Sequence, residues 1–154
     1  MSWFSSDVSA GDDILASDLN NVIKDIKEWE AGDELIMYAD GQESTDYASP
    51  TLVKEFVIGK GGELRIKFDL IGATGSPVAH SAGQIYRNGS PVGTLRSTTN
   101  LSWVTYSEDI SGWSPGDLVQ LYVYDINGTG GGVGACRNFR MYGNISDVTW
   151  RTNA

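Results

Sequence analysis

Cysteine and histidine are almost absent from this chain of 154 residues, which has one of each, Cys136 and His80. A lone cysteine excludes an intrachain disulfide framework, so stability must come from packing, helped by assembly. The same scarcity excludes the usual zinc clusters, and no cofactor is expected. Clusters of Lys and Arg are missing too, which argues against nucleic acid, since affinity for a phosphate backbone needs concentrated positive charge. No stretch is apolar for long enough to cross a bilayer, so membrane insertion is not expected. Met1-Ser2-Trp3-Phe4-Ser5-Ser6-Asp7 has neither the basic nor the apolar region of a secretion signal, and synthesis in a cytoplasm is expected.

The charge that is present is unevenly placed. Twelve of the twenty acidic residues and two of the eleven basic ones fall in residues 1–49, so the first third is an acidic block and the remainder is nearly neutral. Residues 1–13 have too little apolar content to fold alone and read as a flexible or partner-bound arm. A helix follows: Ser17 is a good N-cap, Asp18 favours the first turn, and Gly32 stops an amphipathic run that ends near Ala31. Within it Leu15, Leu19, Val22, Ile26 and Trp29 are spaced four, three, four and three, the seam pattern of a coiled coil. Two readings of that stripe stand equally, packing on the chain's own domain and self-association about a symmetry axis.

Beyond Gly32 the apolar period becomes two. Leu64, Ile66, Phe68 and Leu70 alternate with Arg65, Lys67 and Asp69, a strand with one face in a core. Asn88-Gly89 between two extended runs predicts a type I′ hairpin. Further strands are expected at 35–39, 52–58, 101–109, 118–125, 135–142 and 145–150, and Ser114-Pro115-Gly116-Asp117 suits a type II turn. About eight strands and no second helix predict a mainly β chain: an antiparallel sandwich of jelly-roll type over 33–154, preceded by an arm and anchor helix over 1–32.

Catalytic readings are thin. His80 with Ser81 or Ser76 lacks a nucleophile elbow, and the neighbours Glu108 and Asp109 would point to opposite faces of a strand, so no enzyme is expected. Asp125 with Asn127 offers oxygen ligands but no calcium-loop spacing, and local hydrogen bonding is the better reading. Gly-rich residues 127–134 lack the Gly-Lys-Ser/Thr ending of a phosphate loop and read as a flexible loop, with recognition at the rim of the sandwich as the function such a loop would serve. The aromatic residues matter more. The tyrosines of Tyr122-Val123-Tyr124 share a face, expected to be inward; Trp113, in a turn, is the best exposed candidate for stacking on a sugar. Trp113, Asn127 and Thr129 are thus the candidate ligand residues.

Gly11-Asp12-Asp13-Ile14-Leu15-Ala16-Ser17-Asp18-Leu19-Asn20 resembles a Gly-Asp-x-Ile-x-Ala-Ser-x-x-Asn stretch near the start of many tailed-phage tail, fibre and appendage proteins. Ile85–Gly89 and Glu108–Asp117 are similar to the small β-sandwich domains at the ends of such proteins. The resemblance implies a homotrimeric virion component, attached to other virion proteins through its N-terminal segment and displaying its sandwich outward. A capsid fibre, decoration protein or tail tip, with a host-surface glycan as a further partner, fits this length better than a long fibre. It implies no catalytic residues. The alternative is a stand-alone carbohydrate-binding module.

Overall fold

The computed structural model describes residues 32–72, 80–127 and 134–143. The arm, the expected helix with Leu15, Leu19, Val22, Ile26 and Trp29, the strand expected at 145–150, Ser76 and Thr129 lie outside them.

Ten strands occur among the described residues: β1 (Glu34–Ala39), β2 (Glu43–Thr45), β3 (Thr51–Val57), β4 (Gly62–Ile71), β5 (Ser81–Arg87), β6 (Ser90–Pro91), β7 (Arg96–Thr98), β8 (Val104–Trp113), β9 (Leu118–Asp125) and β10 (Gly134–Gly143). They form two antiparallel sheets. One runs β1-β10-β4-β8, with β2 beside β10; the other runs β3-β9-β5-β6, with β7 also on β5. The chain passes back and forth between the sheets, as in a jelly roll. The mainly β, antiparallel sandwich expected from the sequence is the observed fold. β8 starts later than the expected 101–109 and ends four residues further on, because its ladder with β4 continues to the pair Gly62–Trp113.

The core forms where the two alternating faces meet. Leu64, Ile66, Phe68 and Leu70 of β4 are at most 1% exposed and pack with Ile85, Val119, Leu121, Val123, Phe139 and Met141. Burying each such side chain stabilises the fold by about 1.5–3 kcal/mol relative to exposure. Phe56 and Phe139 stack across the sandwich with ring centroids 5.1 Å apart. Gly83 faces inward over Phe68 and Leu70, where a Cβ would come within 3.1 Å of both side chains, so its lack of one lets the sheets approach. Cys136 is buried in the same core, which pushes its thiol up to about 12.

Both turn expectations hold. Asn88 and Gly89 have φ of 50° and 82°, both positive as a type I′ turn requires. The Asp117 amide donates to the Ser114 carbonyl at 3.0 Å with Gly116 at φ 90°, the type II arrangement. The two turns are stitched together: the Asn88 amide group donates to Asp117 and its oxygen accepts from the Leu118 N–H, both at 2.8 Å. The bond from Asn88, with one from the Ser114 amide, holds the Asp117 carboxyl below its ordinary range.

Two aromatic assignments need correction. Trp113 is 2% exposed and belongs to the core. It is the last residue of β8 rather than part of the turn, and Gly112, at φ 78°, breaks the alternation of that strand and brings the indole inward beneath the Arg87 guanidinium, 4.2 Å from the ring. Tyr122 and Tyr124 point outward, not inward. On β9 the aliphatic side chains Val119, Leu121 and Val123 take the core face, and the alternate positions, Gln120 included, take the other.

Candidate functional site

The outward tyrosines become a site through the register of β5 on β9. Tyr122 lies opposite Gln84, Tyr124 opposite Ala82, and Gln120 opposite Tyr86, so all six side chains leave the same side of the sheet. Tyr86 reaches diagonally to stack on Tyr122, with centroids 4.1 Å apart and planes 26° from parallel. Tyr124 lies about 6.8 Å further along β9, opposite a residue too small to cover it. On the other flank β3 adds Leu52 and Glu55 in register with Tyr122 and Gln120, then Val57. Leu52 and Val57 are 42% and 60% exposed. The outcome is an apolar, aromatic strip on the outer face of a sheet.

Its polar groups are few and fixed. Gln120 is buried although it points outward: its oxygen accepts from the Gly89 amide at 2.7 Å, and its nitrogen donates to Glu55 at 2.7 Å. Gln84 is held by a 2.8 Å bond to the Gly93 carbonyl. The hydroxyls of Tyr86, Tyr122 and Tyr124, by contrast, have no hydrogen-bond partner among the described residues. Partial burial, and the proximity of Tyr124 and Tyr122, raise the Tyr86 hydroxyl above its ordinary pKa, which keeps it protonated as a donor. Tyr47, 63% exposed, lies at the Tyr124 end, where its carbonyl accepts from the Asp125 amide. Rigid rings with free hydroxyls at their tips are suited to stacking on a ligand that is apolar on one side and polar at its rim.

The residues nominated from the sequence fare differently. Asn127 is exposed just past the end of β9, at the same end of the strip as Tyr124, its amide donating to Asp125. Asp125 spends its carboxylate on that bond and on the His80 amide, as local turn chemistry predicts. Ser81, considered as a nucleophile, is buried, with its hydroxyl donating to the Ile71 carbonyl and accepting from the Ala135 amide. Glu108 and Asp109 do point apart, Asp109 to Arg65 on the outer face and Glu108 to the Thr94 amide. The strip itself was missed as a site, although Gln120 between Val119 and Leu121 was a sign that the even positions of β9 face solvent.

The outer face of the other sheet is built from charge. Arg65 binds Asp109 through two nitrogens, at 2.8 and 3.0 Å, and Asp33 at 2.7 Å. Arg140 holds Asp40 in the same two-pronged way. Asp69 accepts from Thr105, Arg137 and Asn138. Lys67 and Arg137 lie over the rings of Tyr142 and Trp103. In a shallow, open depression over β4 and β8, Arg65 and Asp109 are paired with each other, Thr105 donates to Asp69 and Lys67 lies over the Tyr142 ring.

No family model matches the sequence. No curated protein matches it either. Among solved structures, the chain is similar to the CBM22-1 xylan-binding domain from Paenibacillus barcinonensis Xyn10C, at 13% identity and a TM-score of 0.46, over 74% of this chain and 96% of that one.

Proposed function

We propose that this chain is a non-catalytic glycan-binding protein that receives its ligand on the outer face of β3, β9 and β5. The observation that carries the reading is the outward-facing, half-buried run Tyr124, Tyr122 and Tyr86, whose hydroxyls have no partner among the described residues, while Arg65, Asp109, Arg140 and Asp40 on the opposite face are paired with one another. Sugar rings present C–H faces that stack on aromatic rings and hydroxyls that need donors and acceptors at the rim, and the strip supplies both. Isothermal titration of the full chain against a panel of soluble bacterial and plant polysaccharides tests this. Binding to at least one of them, weakened severalfold or more in Tyr122→Ala at an unchanged fold, is expected; no binding to any would overturn the reading.

A second reading concerns where the protein works. The resemblance of residues 11–20 to tailed-phage appendage proteins supports a homotrimeric virion protein, attached through residues 1–31 and presenting the sandwich outward. The two readings are compatible, since a displayed sandwich that binds a host-surface glycan would serve adsorption. Particles lacking the protein, mixed with the full chain or with a chain starting at Asp33, separate them. Attachment of the full chain alone is expected, and equal attachment of both would overturn the anchor role of the N-terminal segment.

A further inference from the structure

We infer that the ligand of the tyrosine strip is an uncharged oligosaccharide, one without uronate, sulfate or phosphate groups; this rests on the glycan-binding reading above. An anionic sugar requires a cation or an array of amides aimed at it, because a charge that loses water without a partner is strongly disfavoured. None of the strand residues of this sheet turns a Lys or Arg outward. Lys54 pairs with Leu121, a core residue, and so points inward, where it meets Glu43 at 3.2 Å. Arg87 lies over Trp113 and donates to the Ser111 carbonyl. Arg96 pairs with the inward Gly83 and lies against Tyr106.

Among the described residues, the one formal charge on the strip is negative. Glu55 is exposed, and only one of its oxygens is engaged, by Gln120. A carboxylate accepts hydrogen bonds and donates none at neutral pH, so it matches sugar hydroxyls and repels sugar acids. In sequence, residues 73–79 and 128–133 contain no ionisable side chain, and the whole chain carries a net charge of -9. Charge therefore selects against polyanions both locally and at long range.

The test is titration of the full chain with cellohexaose, xylohexaose and mannohexaose against hexagalacturonate and a chondroitin sulfate hexasaccharide, each at low and moderate salt. At least one neutral probe is expected to bind with an affinity insensitive to salt, and the anionic probes at least about tenfold more weakly, with salt improving them by screening repulsion. Glu55→Gln, which keeps an acceptor for Gln120, should narrow the gap between the two sets. Tighter binding of an anionic probe, falling as salt rises, overturns the inference while leaving glycan binding intact. Failure of every probe and of the polysaccharide panel overturns the glycan reading itself. Light scattering on Tyr122→Ala closes the remaining case: loss of a dimer or trimer would mean that a second copy of the chain covers the strip, which contradicts both.

Discussion

The two outer faces of this sandwich are built on the same alternation and end in opposite chemistry. On β4, β10 and β8 the outward positions carry Arg65, Asp69, Asp109, Arg137 and Arg140, tied to one another and to Asp33 and Asp40. On β9 and β5 they carry Tyr86 and Tyr122, stacked on each other, and Tyr124, and none of the three hydroxyls has a hydrogen-bond partner among the described residues. A face whose groups are mutually satisfied gains nothing by taking a ligand, because each new bond must first break an old one. A face that keeps apolar area and free donors in water gains from both when a ligand covers it. The exposed apolar residues of the charged sheet, Leu35 and Tyr38, lie on its edge strand β1 rather than in a continuous strip.

The comparison can be broken or sharpened in graded steps. The largest effect is expected where the faces share support: Phe68→Ala, in the common core, should cost about 3–5 kcal/mol in denaturant unfolding and loosen both. Next, Asp69→Ala on the charged face strips three donors of a buried acceptor and should cost roughly 1–3 kcal/mol, with glycan affinity unchanged. Tyr124→Ala should do the reverse. Among the described residues no ring is stacked on it, so its loss should cost about 1 kcal/mol of stability or less, yet weaken ligand binding by an amount of order 0.5–1.5 kcal/mol. If the two substitutions fail to separate stability from binding in this way, the division between the faces is wrong.

The smallest effects are those of pH. Asp109 and Asp40 are held below their ordinary pKa by hydrogen bonds from Arg65 and Arg140, and Asp117 by bonds from Asn88 and the Ser114 amide. A carboxylate depressed in the folded state adds stability that is present above its unfolded pKa of about 3.9 and lost as pH falls through the folded value. Tyr86 has the opposite sign: its raised pKa adds stability below the unfolded value of about 10, lost as pH climbs through the folded one. Melting midpoints should therefore fall in acid through the ion pairs and in alkali through the tyrosine strip. Arg140→Gln should blunt only the acid limb, and Tyr86→Phe only the alkaline one.

Much of this was legible in the chain. The period of two in Leu64–Leu70, the Asn88-Gly89 pair and the Pro115-Gly116 turn are local signals, and each appears in the fold as read. What failed was the assignment of faces where aromatic residues weigh equally with aliphatic ones. Tyrosine has enough apolar area to be placed inside, and only the partner strand decides which side is the core; Gln120 carried that information but was not used. Trp113 went wrong for a different reason. A single glycine with positive φ shifts the parity of β8 by one residue, and no periodicity rule anticipates such a break.

The most direct test of the central claim is to follow backbone amide resonances of the full chain while adding whichever neutral oligosaccharide binds. The account predicts that the shifts gather on β9, β5 and β3 around Tyr122, Tyr124, Tyr86 and Glu55, with those of Arg65, Asp69 and Arg140 unmoved. Shifts centred on β4, β8 and β10 instead would contradict it.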